Sequence, residues 1–181
     1  RDFVQEFPKA LIVLSQRWDF YKHIALHFGT AAIGRVGPNA LALFYKERIE
    51  ALFGLYGFSD DQRIVIMGAV PEVATLGDTA TCLLRPAIFV RQDCTAAPLG
   101  EPGTAYRRQF NLALAQAIAA LNGRHGWKIT FIDPYEDLCS NISCTQISGG
   151  QILYNDHDHL SIAGSIRIVA ENAAAFVLSG R

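Results

Sequence analysis

The sequence RIVIMGAV at residues 63–70 is an apolar run dense in isoleucine and valine, and Pro71 follows it directly. A strand with one face in water alternates apolar and polar side chains, whereas a strand covered on both faces reads as a continuous apolar run. Proline ends such a strand because it has no N–H to donate to a neighbour. The run therefore predicts a buried strand of a parallel sheet.

Further apolar runs and helical patterns alternate on either side of this strand. The runs predict strands, and apolar residues at helical spacing predict helices between them. The other strands are predicted at 10–14, 128–133 and 152–154, and the helices at 40–56, 106–122 and 161–178. This alternation is typical of an α/β fold in which helices cover both faces of a mostly parallel sheet.

Length and composition restrict the class of protein. The 181 residues are 50% hydrophobic and 18% charged, which predicts one folded domain over residues 1–181 rather than a disordered chain. Sixteen Lys and Arg against seventeen Asp and Glu leave no excess of basic residues for the phosphates of a nucleic acid, so no nucleic-acid partner is expected. The apolar runs are also far shorter than the roughly 20 residues of a membrane span.

The first residues are Arg1 and Asp2, without an initiator methionine. They carry neither the basic start nor the apolar segment of a signal peptide. We therefore expect the chain to be a piece of a longer polypeptide.

Four cysteines stand at positions 82, 94, 139 and 144, and they allow three disulfide pairings. The close spacings favour Cys82 with Cys94 and Cys139 with Cys144, bridges worth about 3 and about 2 kcal/mol by loop entropy. Four unpaired thiols remain the alternative. Neither pair has the spacing of a zinc knuckle, so no metal is expected at the cysteines. Two bridges would place the chain in an oxidising compartment.

Functional sites in parallel sheets lie at the carboxyl ends of the strands, and this rule draws attention to residues 155–161. There Asp156 and His159 stand three residues apart on a predicted turn. A carboxylate that accepts a hydrogen bond from one imidazole nitrogen leaves the other nitrogen as a general base, which a hydroxyl nucleophile needs. The spacing therefore favours a base with its orienting carboxylate.

Two other interpretations of this segment stay open. Ser161 is a good N-cap and Asp158 suits the positive end of a helix, so part of the string could serve only to begin the last helix. Residues 156–159 could also bind a metal, although in an extended chain at most two of the four side chains would converge.

The segment resembles the C-terminal Asp-x-x-His block of the SGNH hydrolases. Together with a set of landmarks in the same order, it is similar to the extracytoplasmic SGNH domain fused to membrane acyltransferases of acyltransferase family three. The landmarks are Ser15-Gln16-Arg17-Trp18, Val70-Pro71-Glu72, Cys82, Asp133-Pro134, Cys139, Cys144, Asp156, His159-Leu160-Ser161 and Gly164.

The resemblance implies a three-layer α/β/α sandwich, SGNH- and flavodoxin-like, that lacks its first strand here. It implies acyl transfer, chiefly of acetyl groups, to a cell-envelope glycan such as lipopolysaccharide, or ester hydrolysis on it. The domain would lie in the periplasm, tethered through a membrane acyltransferase domain that takes its acyl group from acyl-CoA. No cofactor is expected in the domain itself.

Carried over to this sequence, the resemblance makes His159 the general base and Asp156 its orienting residue. The family's Gly-Asp-Ser block is absent, and Gly77-Asp78-Thr79 lies too late in the chain to replace it. We therefore expect the nucleophilic serine upstream of Arg1.

Three residues after the first strand are further candidates. Arg17 is a candidate donor to a developing oxyanion or a sugar hydroxyl, and Trp18 a candidate stacking face, or else the two pack and pair structurally. Ser15 is the rival nucleophile within the chain, but no glycine follows it to form a sharp elbow.

Two other functions remain as alternatives. The domain could be a catalytically inactive glycan-binding module that keeps the same fold. It could also be a metal-dependent hydrolase built on residues 156–159. The sequence does not distinguish transferase from esterase, and it does not give the acceptor glycan or the oligomeric state.

Overall fold

The structure is a computed structural model that describes residues 10–15, 18, 37–58, 62–73, 96–98, 103–140 and 143–177. Arg17, Cys82, Cys94 and the Gly77-Asp78-Thr79 string lie outside these residues. The chain divides into two compact units, the first comprising residues 1–69, 106–133 and 174–181 and the second residues 70–105 and 134–173. The expectation of a single domain stays a prediction.

The elements alternate between strands and helices, as the sequence predicts. They are β1 (Leu11–Ser15), α1 (Pro38–Tyr56), β2 (Arg63–Met67), β3 (Ala96–Pro98), α2 (Gly103–His125), β4 (Ile129–Ile132), α3 (Pro134–Leu138), β5 (Ser143–Thr145), β6 (Ile147–Ser148), β7 (Gln151–Ile152), α4 (Ile162–Glu171) and α5 (Ala173–Phe176). Among the helices of the described residues, none combines the length and hydropathy needed to cross a bilayer.

The first unit is built on a parallel sheet in the order β1-β2-β4. Ile64 of β2 pairs with Ile12 on one side and with Ile129 on the other. The three strands correspond to three of the four predicted apolar runs, and the α/β class with a parallel sheet is confirmed. The strand at 63–70 ends earlier than predicted, at Met67.

Alternation along the strands decides which side chains face the helices. Ile64 and Ile66 of β2 lie in one core cluster with apolar residues of both α1 and α2. The rings of Tyr45 in α1 and Phe110 in α2 lie 5.9 Å apart, so these two helices share that face of the sheet. Arg63 points to the opposite face, since side chains alternate along a strand.

Arg63 donates hydrogen bonds to the carbonyl oxygens of Ala174, Ala175 and Val177 at the end of the chain. The C-terminal carbonyls of a helix lack partners within the helix, and a guanidinium can satisfy several of them. Helical segments therefore contact both faces of the sheet, in agreement with the three-layer prediction.

The boundaries of α1 follow from its terminal residues. Pro38 stands in the first turn, where its missing N–H costs nothing. At the other end Gly57 adopts φ 64° and donates from its backbone N–H to the carbonyl of Phe53, and the left-handed region favours glycine there. The prediction of a helix over 40–56 was therefore short only at its start.

The predicted fourth strand, at 152–154, is not part of the parallel sheet. In the second unit Ile152 belongs instead to β7, which pairs antiparallel with β6. Gly149 and Gly150 join the two strands with φ values of 56° and 76°. A two-residue turn with both φ values positive is the preferred hairpin connection, and a Gly-Gly pair is its sequence signal. Ile152 therefore pairs across the Gly-Gly turn, although its apolar run predicted a strand of the parallel sheet.

The predicted last helix is interrupted at Asn172. Helix α4 begins after the N-cap Ser161, as predicted, and ends at Glu171. The Asn172 side-chain amide donates to the carbonyl of Ile168 and to Asp137 Oδ2. An asparagine that bonds back to the preceding turn competes with the helical pattern, so a separate short helix, α5, follows.

One predicted disulfide lies within the described residues. Cys139 and Cys144 are bonded, and their backbones also form a bridge pair. Cys139 N–H donates to the carbonyl of Tyr135, which joins the bridge to α3.

We expect the variant with both Cys139→Ala and Cys144→Ala to unfold about 2 kcal/mol more easily than the wild-type chain, because the bridge closes a short loop in the unfolded state. Urea unfolding without reductant measures the difference. The same denaturation in dithiothreitol is the control, because reduction should bring the wild type towards the variant. Equal midpoints without reductant would contradict a stabilising role.

Candidate active site

The turn that carries Asp156 and His159 is closed at its base by the backbone. Asn155 N–H donates to the carbonyl of His159 over 2.8 Å, and Tyr154 and Leu160 form a bridge pair. The turn leads directly into α4. A short loop that is hydrogen-bonded at its base holds its side chains in a defined arrangement.

Ser161 fixes the start of α4 to the strand before the turn. Its hydroxyl donates to the carbonyl of Ile152 over 2.6 Å and accepts from Gly164 N–H over 3.1 Å. Its own N–H donates to the carbonyl of Leu153. The N-cap role therefore exists alongside the Asp156–His159 pair rather than instead of it, because separate residues serve the two purposes.

Asp156 binds both the backbone and the ring of the same turn. Its Oδ1 accepts from the backbone N–H groups of Asp158 and His159 at 3.0 and 2.8 Å. Nδ1 of His159 lies 2.7 Å from Oδ2 and 2.9 Å from Oδ1. An ionised carboxylate can only accept, so Nδ1 carries the hydrogen and Nε2 keeps its lone pair. The His159 side chain is 56% exposed.

Electrostatics favour the ionised form of Asp156. Partial burial works against the charge, but the hydrogen bonds from the backbone N–H of Asp158, from the His159 ring and from the backbone N–H of His159 outweigh it, and they hold the pKa of this carboxyl well below its usual range. Asp156 therefore remains an acceptor at neutral pH.

This depressed pKa predicts how stability depends on pH. The stabilisation is fully present above the ordinary aspartate value of about 3.9 and is lost as pH falls through the lower folded-state value. We expect the difference in unfolding free energy between wild type and Asp156→Asn to be largest near neutral pH and to shrink below about pH 4. Urea unfolding at several pH values measures it. A difference that stays constant on acidification would contradict the assignment.

The structure describes two of the three predicted residues that follow the first strand. Ser15 is exposed at the carboxyl end of β1, and its hydroxyl lies 3.7 Å from the sulfur of Met67. Trp18 is only 2% exposed and belongs to the core cluster, with Nε1 donating to the carbonyl of Met67 over 2.6 Å. The ring is therefore packed in the core, while a role of Trp18 toward a glycan stays a prediction.

A cavity of about 530 Å³ lies beside this strand end. Ser15, Trp18 and Arg48 line it together with apolar side chains of β1 and α1. All of its lining residues belong to the first unit. The Asp156–His159 turn belongs to the second unit.

The expectation that at most two of residues 156–159 would converge was wrong. Ligand atoms of Asp156, His157 and Asp158 lie within 4.8 Å of one another. The expectation assumed an extended chain, whereas the hydrogen bonds to Asp156 Oδ1 fold residues 156–159 into a turn. Polar side chains often converge without a metal, and the arrangement by itself does not make a metal site.

Asn111 in α2 is a polar residue that the sequence analysis did not single out, and it joins two strand ends. Its side chain accepts from Ala69 N–H and donates to the carbonyl of Ala69 and, over 2.7 Å, to Asp133 Oδ1. Gly68 makes room for it, since a Cβ there would lie 2.8 Å from Asn111 Cγ. The sequence contained a signal for this role, because Asn111 is a polar residue next to Phe110 and three positions before Leu114, on the apolar side of the predicted helix.

Comparison with known protein families identifies the family of this chain. Residues 2–173 match the family described as the SGNH domain fused to AT3 domains. The chain belongs to this family. The resemblance seen in the sequence is thereby confirmed for the SGNH domain as a whole, while the roles of individual residues stay predictions.

One solved structure is similar to this SGNH domain, the periplasmic domain of the lipopolysaccharide acetyltransferase of Salmonella ser. Paratyphi A. The two are 18% identical with a TM-score of 0.48, and the match covers 97% of this chain and 60% of that one. The chain thus spans less than two thirds of that structure's length. No curated protein sequence matches the domain.

Proposed function

We propose that this SGNH domain supplies the base and the orienting acid of a Ser-His-Asp centre for acyl transfer. The observation that carries the proposal is the hydrogen bond between His159 Nδ1 and Asp156, in a His159 side chain that is 56% exposed. That arrangement leaves Nε2 able to take a proton from a hydroxyl. The nucleophilic serine would come from polypeptide upstream of Arg1.

The chemistry has two half-reactions. In the first, Nε2 of His159 takes the serine hydroxyl proton as the oxygen attacks the acyl carbonyl, and the proton then passes to the leaving group. In the second, the glycan hydroxyl gives its proton to Nε2 and attacks the acyl-serine ester, and the proton returns to the serine oxygen. Water in place of the glycan would make the same centre an esterase. Asp156 stabilises the imidazolium in both steps.

The family description supports a fused AT3 domain. We propose that this attached domain delivers the acyl group and takes it from acyl-CoA. The Cys139–Cys144 bridge supports a location outside the cytosol, because disulfides persist in oxidising compartments. We therefore place the domain in the periplasm, tethered through the AT3 domain, with a cell-envelope glycan as acceptor.

Ser15 is a weaker candidate for the nucleophile. Its hydroxyl already contacts Met67, and the following residues provide no glycine for the strained turn that usually presents a catalytic serine.

A fluorophosphonate probe tests the proposal on the intact parent polypeptide. The probe reacts covalently with activated serines, and mass spectrometry of the peptides locates the adduct. We expect one labelled serine upstream of Arg1, and no label when His159 is replaced by alanine. A label on Ser15 would move the nucleophile into this chain. An unlabelled parent protein that still binds envelope glycan would support the inactive binding module instead.

A further inference from the structure

Asp158 differs from the other polar residues of the turn because its side chain is completely buried. The side chains of Asp156, His157 and His159 are 47%, 54% and 56% exposed. The sequence suggested only a role at the start of the helix for Asp158. That role does not explain a buried carboxylate, because an aspartate that serves the helix dipole can stay in water.

The buried carboxylate lies beside the same ring nitrogen that Asp156 holds. Asp158 Oδ1 is 3.1 Å from His159 Nδ1 and 3.6 Å from His157 Nε2. Nδ1 of His159 therefore has three carboxyl oxygens within about 3 Å, two from Asp156 and one from Asp158. The turn brings these groups together because Asp156 Oδ1 accepts hydrogen bonds from the backbone N–H groups of Asp158 and His159.

The two carboxylates work in different surroundings. Water and salt screen the half-exposed Asp156, whereas a charge removed from water interacts more strongly with its neighbours. At its ion-pair distance of 3.1 Å, Asp158 is thus placed to favour a hydrogen on Nδ1 electrostatically when solvent or a substrate competes for Asp156.

We propose that Asp158 is a positioning residue that, together with Asp156, keeps the hydrogen of His159 on Nδ1. Its importance for catalysis rests on the proposed function, but its effect on the ring does not. With the hydrogen fixed on Nδ1, the lone pair stays on Nε2, the nitrogen that would face a hydroxyl.

Nitrogen-15 NMR of the 181-residue chain, labelled at histidine, tests this directly, because protonated and bare ring nitrogens have well-separated shifts. Spectra recorded at pH 9 would compare the wild type, Asp156→Asn, Asp158→Asn and the double variant, and His159→Ala would assign the signals. We expect Asp156→Asn to retain most of its Nδ1–H form and the double variant to lose it. Such a cycle isolates the contribution of Asp158.

Glu136→Gln is the matched control, since it removes an exposed carboxylate on α3 of the same unit and should leave the His159 signals unchanged. The proposal is overturned if Asp156→Asn alone shifts the ring as far as the double variant does. If Asp158→Asn does not fold, Asp156→Asn still decides, because loss of the Nδ1–H form in it would show that Asp158 holds nothing.

The spectra also separate this proposal from the proposed function. If the parent polypeptide carries no activated serine, the acyl-transfer proposal fails while the ring spectra still report on Asp158. In an active parent, Asp158→Asn should lower kcat and leave KM unchanged, because the residue acts on the base and not on the substrate.

Discussion

Replacing His159 with alanine in the intact parent polypeptide is expected to lower the proposed acyl transfer to glycan by about 10²- to 10⁴-fold, the usual contribution of a general base. The imidazole is more than half exposed and its bonds stay within the turn, so its removal should lower the unfolding free energy by about 1 kcal/mol or less. Transfer of a radiolabelled acyl group in isolated membranes measures the first quantity, and urea unfolding of the 181-residue chain measures the second.

His157→Ala is the matched control, because it removes an equally exposed imidazole two residues away whose Nε2 lies 3.6 Å from Asp158. It should retain transfer activity. Near-normal transfer by His159→Ala would refute the assignment of the base. Equal loss in both variants would indicate that the string 156–159 acts together, as in the metal-dependent alternative.

Gly164→Ala is expected to cost about 3 kcal/mol or more of unfolding free energy, although it adds only a methyl group. A Cβ at this position would lie 2.1 Å from the carbonyl oxygen of Leu153 and 3.2 Å from Leu160 Cδ2. The Leu153 oxygen is backbone and also accepts from Ser161 N–H, so it cannot move away without breaking the start of α4. Thermal or urea unfolding of the chain measures the loss.

Gly123→Ala is the corresponding control in α2, where an added Cβ would meet no atom within 4 Å. Alanine there should stabilise the chain by about 0.5–1 kcal/mol, because glycine is the poorer helix former. If Gly164→Ala stayed within about 1 kcal/mol of wild type, the close approach of α4 to Leu153 would not matter for stability. Gly164→Ala would also affect the turn indirectly, because a displacement of α4 would shift His159 although the substituted residue does not contact it.

Sequence alone was sufficient where the determining interactions are local. The three apolar runs form β1, β2 and β4 because a continuous apolar strand needs cover on both faces. Pro38 and Gly57 set the two ends of α1 through their own backbone preferences. Asp156 and His159 meet because residues three apart on a turn share hydrogen bonds that require no distant partner. The Cys139–Cys144 bridge follows from a similarly short separation.

The predicted fourth strand of the parallel sheet was wrong because its apolar run had two possible partners. The run at 152–154 is as apolar as a sheet strand, yet Ile152 pairs across the Gly149-Gly150 turn. A hairpin closes a very short loop, whereas pairing with a strand remote in the sequence closes a longer one at greater entropic cost. The Gly-Gly pair was visible in the sequence, but the prediction relied on the hydrophobicity of the run and missed the hairpin.

The sequence by itself therefore determined the α/β class, the start of α4 and the pairing of His159 with Asp156. Only the tertiary structure decided that Trp18 is buried, that Asn111 joins Ala69 to Asp133, that Gly164 must lack a Cβ and that Asp158 lies buried beside His159. The first group depends on backbone preference and hydrogen bonds between near neighbours. The second depends on which atoms of remote segments occupy the same space, and side-chain type does not specify that.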